Sequence, residues 1–183
     1  MTVINSIVDE YKRYKALADA AISQVGDEEL TRLGPAGGNS IDMLIRHIAG
    51  NLKSRFTDFR TSDGEKEWRR RDDEFETMTL SRAQLMERWE EAWAVLLGEV
   101  ERLTDADFGE TVIVRRQPLR IDEALHRSLA HTAYHVGQIV YLAKELRGEG
   151  WRTLSIPKGR SEEYNRKTTG ETAAAHTQHL KKI

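Results

Sequence analysis

Only three prolines, Pro35, Pro118 and Pro157, interrupt a chain of 183 residues. Proline is expelled from helix interiors because it lacks an N–H and its ring clashes with the preceding turn, so each one marks a connection between long helical stretches. Between these marks, apolar residues recur at three- and four-residue spacing. Ile4, Ile7, Val8, Tyr11, Leu17, Ala18, Ala21, Ile22 and Val25 form one stripe, which predicts a first helix over 2–25 that ends near Gly26. After the breaker run 34–38, Asn39 or Ser40 can cap a second helix over 40–61, with Ile41, Leu44, Ile45, Ile48, Leu52, Phe56 and Phe59 as its stripe. Ser81 and Gln84 form a capping box ahead of Leu85, Trp89, Ala92, Trp93, Leu96, Val100 and Leu103, a third helix over 81–103. The fourth, over 121–147, uses Ile121, Leu125, Leu129, Val136, Ile139, Val140, Ala143 and Leu146 and stops before Gly148.

Four amphipathic helices bury their stripes most economically against one another. The expectation is therefore an all-α chain, a four-helix bundle. The segment between the second and third helices is long enough for a crossover connection, and its charged run through Arg71, Asp72 and Glu74 reads as solvated. The β-branched run Thr111–Val114 is a possible strand or β-hairpin arm before the fourth helix, without a clear partner. A domain over 1–160 and a polar C-terminal tail over 161–183 complete the layout, with His176 and His179 in that tail read as part of a frayed end.

Composition narrows the function. Lys and Arg number 28 against 30 Asp and Glu, a net charge of −2, which argues against a nucleic-acid partner. No apolar run approaches the roughly 20 residues of a membrane span, and the N-terminus carries no signal-like region, so a cytoplasmic protein with no membrane partner is expected. Cysteine is absent. Any metal must be held by His, Asp or Glu.

The histidines supply that chemistry. His131 and His135 are four residues apart, so they share one helix face a single turn apart, on the flank of the apolar stripe. Neutral imidazoles placed there need partners, because an unpaired buried polar group costs about 1–3 kcal/mol. His47, at the edge of the second stripe, can add a third ligand if the second and fourth helices are adjacent. Three imidazoles with one position left for water is a common zinc count, though every first-row divalent ion accepts imidazole; zinc or nickel is expected first, with iron, manganese and cobalt behind them. The plain alternative is a hydrogen-bonded pair of core histidines, and no HExxH supplies a glutamate base. Asn51, one turn from His47, and Gln138, near His135, are candidates for orienting ligands. Trp89 and Trp93 read as core rather than pocket. Lys66, Arg69, Arg70 and Arg71 could hold an anion, but the acidic residues around them favour a self-neutralising loop. His126, outward beside Arg127, is the one position suited to phosphotransfer, and no serine has a nucleophile-elbow context.

His47 within Leu-Ile-Arg-His-Ile-Ala-Gly-Asn-Leu, together with His131-Thr-Ala-Tyr-His135-Val-Gly-Gln, resembles the DinB/YfiT-like superfamily. Residues 55–59, 63–66, 71–75, 131–144 and 151–157 are similar to a bacterial branch of it without an assigned activity. The resemblance implies a DinB-like four-helix bundle with a crossover, a divalent metal on His47, His131 and His135, and a homodimer. It also implies an activity known among relatives, a metal-dependent thiol S-transferase that activates a low-molecular-weight thiol toward an electrophile; the alternative is a metal-dependent hydrolase, which is only proposed for other members. A non-catalytic structural or interaction bundle, with the metal as a staple, is the reading from another class.

Overall fold

A computed structural model describes residues 2–78, 80–167 and 171–182. Helix α1 (Val3–Ile22) begins where the Thr2 hydroxyl accepts the Asn5 N–H. It ends short of the expected 25, because Ser23 to Gly26 turn away before the single-turn α2 (Asp27–Leu30); Val25 stays buried from the turn. Helix α3 (Ile41–Phe56) likewise stops before 61. Thr57 is extended at ψ 122° and Asp58 takes a left-handed φ of 50°, which ends the helix while leaving Phe59 in the core.

Helix α4 (Arg82–Val100) has the expected capping box. The Ser81 hydroxyl accepts the Gln84 N–H at 3.3 Å, and the Gln84 carbonyl accepts the Ser81 N–H at 3.0 Å, so two orphan donors of the first turn are satisfied. The helix frays before 103, although Leu103 remains buried. Between α4 and the next helix, β1 (Thr111–Val114) pairs antiparallel with β2 (Gln117–Arg120), Thr111 opposite Arg120. This two-stranded sheet is the short hairpin that the Thr111–Val114 run allowed for before the fourth long helix, and the partner strand that lacked a clear signal is the one that contains Pro118. Proline fits there because both strands of a lone ribbon are edges. Helix α5 (Ile121–Arg147) matches its expected limits.

Helix α3 packs against α4 and α5, while α1 packs against α5, α4 and the C-terminal α7 (Ala173–Leu180). Tyr11, Leu44, Leu52, Phe56, Trp89, Trp93, Leu96 and Leu125 fill the space between them. Burying each large apolar side chain contributes about 1.5–3 kcal/mol, so this core outweighs any local propensity in setting the arrangement. Trp89 also donates its Nε1–H to Asp19 at 2.8 Å, and both tryptophans are core, as read from the stripe. Helix α3 occupies the central position. Covered on nearly every side, it carries Asp42, Arg46, His47 and Ser54 into the interior along with its apolar residues.

The residues after 160 are not a frayed end. They include α6 (Ser161–Lys167) and α7, with Thr177 and Leu180 buried and His176 Nε2 lying 3.2 Å from the Leu154 carbonyl oxygen. Thr168, Thr169, Gly170 and Ile183, also part of the expected tail, lie outside the described residues. Among the described residues, no helix is long and apolar enough to cross a membrane.

Candidate metal centre

His131 and His135 project from successive turns of α5 toward His47 on α3. Their ring centroids are 4.6 to 5.1 Å apart, and one ligand atom from each lies within 4.8 Å of the others. His47 Nε2 and His131 Nε2 approach to 3.1 Å. His47 and His135 are 4% and 8% exposed, and His131 is half-buried. These three histidines form a group that could hold a metal ion.

The remaining ring nitrogens fix the tautomers. His47 Nδ1 lies 2.8 Å from Glu74 Oε2, and a carboxylate only accepts, so the proton of the neutral ring sits on Nδ1 and the Nε2 lone pair points inward. His135 Nδ1 lies 2.7 Å from Gln138 Oε1, with the same consequence. Gln138 thus touches the residue it was expected to orient. Asn51 lines the adjoining cleft, but among the described residues it makes no hydrogen bond to an imidazole. His126 is exposed and outside that cleft.

Electrostatics disfavour the charged forms of His131 and His135. Burial pushes the His131 pKa down to about 3, assisted by the charges of His135 and His47 and then of Arg69 and Arg55. His135 is also lowered, chiefly by burial, against the opposing bond to Gln138. Burial works against the Glu74 anion, but the bonds from His47 and Arg69 outweigh it and hold the carboxyl below its usual range. Neutral imidazoles and an ionised carboxylate are the forms a metal requires of its ligands and of the groups that orient them.

Glu74 and Arg69 are where the sequence reading goes wrong. The segment expected to be solvated folds back over α3, and Arg69 leaves only 2% of its side chain exposed. Arg69 Nε donates to Glu74 Oε1 at 2.8 Å and Nη2 donates to Oε2 at 2.9 Å, a bidentate pair. Arg46 anchors the turn that carries Glu74, donating to the carbonyls of Asp73 at 2.8 Å and Glu76 at 2.7 Å while it pairs with Asp42. Glu74 and Arg69 are therefore drawn in from an otherwise largely exposed polar run because α3 offers a partner in His47, which the run's own composition does not reveal. One signal was readable: Gly50 sits inside α3, where glycine costs about 1 kcal/mol relative to alanine and so calls for a packing reason. A Cβ at Gly50 would lie 2.1 Å from Glu74 Oε1. The gap in the helix is where the carboxylate rests.

The three histidines open onto a cleft of about 480 Å³ between α3, α5, the hairpin and the folded-back connection. Asp63 ties the last two together. Its carboxylate accepts the N–H groups of Arg115 at 2.8 Å and Arg116 at 2.7 Å, two non-glycine residues held at φ 53° and 61° in the hairpin turn. The Gly64 N–H donates to the Ile113 carbonyl at 2.8 Å, and the Ser54 hydroxyl on α3 donates to the Gly64 carbonyl at 2.7 Å.

Fold and site together define a mostly helical protein with three imidazoles gathered at the floor of an open cleft. The family model described as "Protein of unknown function (DUF1572)" matches residues 1–160, and the chain belongs to that family. No curated protein and no solved structure matched the chain.

Proposed function

We propose that this chain binds one divalent metal ion on His47, His131 and His135 and uses it to activate a small nucleophile, in a four-helix bundle of the DinB type built from α1, α3, α4 and α5. The observation that carries this reading is the inward convergence of Nε2 lone pairs, with Nδ1 of His47 held by Glu74 and Nδ1 of His135 by Gln138. Zinc–imidazole bonds of about 2.0–2.1 Å set tetrahedral nitrogen ligands roughly 3.3 Å apart, close to the 3.1 Å between His47 Nε2 and His131 Nε2. Zinc or nickel suits the site best, and iron, manganese and cobalt share its donor chemistry.

The bound ion would supply Lewis acidity, lowering the pKa of a water or thiol at a position the three imidazoles leave free. The protein's own groups do the rest. Glu74 and Gln138 hold the ring orientations, Arg69 and Arg46 hold Glu74, and the cleft admits a molecule of small-ligand size to the histidine floor. That opening favours chemistry over a metal that only staples α3 to α5, for which a closed site would serve. Thiol S-transfer to an electrophile is the leading reaction and hydrolysis the second, since they differ only in whether a thiol or water takes the free position. The homodimer belongs to the same reading.

Elemental analysis of untagged protein should find near-stoichiometric metal in the wild type and little in a His47→Ala variant. Turnover of an electrophile with bacillithiol, mycothiol or glutathione should then follow metal content. Metal-free wild-type protein across growth supplements would overturn the site; full loading without turnover of any thiol would overturn the transferase and leave hydrolysis.

A further inference from the structure

The walls of the cleft carry a charge pattern that the metal does not explain. Arg55, Arg69, Arg71, Arg115 and Arg127 all line it, and among the described residues no carboxylate does. The carboxylates that offset these arginines sit behind them. Glu65 accepts from Arg55 at 3.2 Å and from Arg115 at 2.8 Å, and Glu74 is taken up by Arg69 and His47. Asp63, near Arg55, spends its oxygens on backbone N–H groups. Arg71 has only a 3.4 Å contact with the exposed Asp72, and its guanidinium lies over the Phe75 ring at 5.1 Å. Arg127, on α5 one turn before His131, has no hydrogen bond or ion pair among the described residues.

One buried donor is also unused. Arg69 keeps 2% of its side chain exposed and commits Nε and Nη2 to Glu74, yet Nη1 has no hydrogen-bond partner. A buried guanidinium N–H left unpaired is costly, and this residue lines the cleft. Shielded from solvent, it adds positive charge behind the cleft wall rather than a direct donor. Guanidinium groups match the two-oxygen edge of carboxylates and phosphates, and a partly enclosed site strengthens the attraction over its value in water.

We propose that the cleft selects small molecules bearing a carboxylate or phosphoryl group, gripped by Arg127 and Arg71 with the charge of Arg69 behind them, so that the rest of the molecule lies over the three histidines. This names the substrate class of the proposed metal site and rests on that reading only for what the other end of the molecule does. The grip itself belongs to the arginines. The half-buried side chains of Phe75, Val114 and Leu119 line the same cleft and give the molecule's remaining part an apolar surface.

Calorimetric titration with inorganic phosphate and, separately, with succinate tests the proposal on protein as purified and after metal stripping, with the metal content of every sample measured by elemental analysis. At least one probe should bind both forms, and the probe that binds tells phosphoryl from carboxylate selection. Arg127→Gln and Arg71→Gln should each weaken that probe about tenfold, as expected for one hydrogen bond to a charged group, with metal content unchanged. Arg102→Gln, on an exposed stretch away from the cleft, should bind as the wild type does. The proposal is overturned if neither probe binds, if the two cleft variants bind like the wild type, or if binding vanishes on stripping, which would make the anion a ligand of the metal alone. Loss of metal is read from the elemental analysis, so failure of the three-histidine reading shows independently of the probe.

Discussion

Gly50→Ala puts the role of Glu74 to a direct test. In an ordinary helix interior the change stabilises by about 1 kcal/mol. Here the added methyl would lie 2.1 Å from Glu74 Oε1 and 2.9 Å from its Cδ, so the carboxylate must move. It cannot swing away freely, because two bonds from Arg69 and one from His47 hold it at 2.8 to 2.9 Å. Hydrogen bonds to charged groups contribute about 1.5–3 kcal/mol each, so losing one already exceeds the gain in helix propensity. The net cost is about 0.5–2 kcal/mol, and for a domain of this length each kcal/mol corresponds to roughly 2–4 °C in Tm. Removing the group that orients a ligating histidine typically weakens metal binding by about 10–100-fold. Competition against a chromogenic chelator measures the affinity, and calorimetric melting of the stripped protein measures the stability. A variant that melts higher than wild type and holds metal within threefold would refute the claim that the empty space at Gly50 seats Glu74.

Two further outcomes rest on the same physics. His131 titrates near pH 3 in the folded chain and near 6.5 when unfolded, so the unfolded state binds more protons between those values and stability falls as pH drops through that window. Melting of the stripped protein between pH 7 and 5, above the range where Glu74 takes up a proton, should show the decline, and His131→Ala should flatten it; equal slopes in both would contradict the assignment. In the hairpin turn, Arg116 sits at φ 61°, a conformation that costs a non-glycine residue about 1–2 kcal/mol, and Arg116→Gly should therefore raise Tm by a degree or more after glycine's own entropy loss. An unchanged or lower Tm would mean that the Asp63 bond already removes the strain.

Periodic features are the ones legible in the chain. The stripe of α5 marks its limits at both ends, and the four-residue step from His131 to His135 puts both rings on one face before any tertiary contact is known. His47 is recoverable for the same reason, as a polar residue at the edge of an apolar face. The connection from 57 to 81 has no period, and its charges look solvated unless one knows that Arg46 and His47 wait inside α3 to receive its carbonyls and its carboxylate. The second hairpin strand is hidden in a similar way: its turn uses Arg115 and Arg116 where Asn-Gly would announce it, and the compensating group, Asp63, lies some fifty residues earlier. The helix ends at Ile22 and Phe56 escape the pattern because buried residues continue past them in turns, so the apolar stripe outlasts the helix.

Because Asp63 joins the hairpin to the crossing segment, the cleft is assembled from two parts with different freedom to change. The histidine floor stands on α3, covered on nearly every side, and on the inward face of α5, where most replacements damage the fold. Part of the arginine-bearing rim, Arg71 and Arg115, stands on the crossing segment and the hairpin turn that Asp63 joins, and new residues can be tried there without disturbing the helices beneath. Relatives sharing this plan can thus keep the three histidines while diverging in what surrounds them, and the rim is the place to look for that divergence.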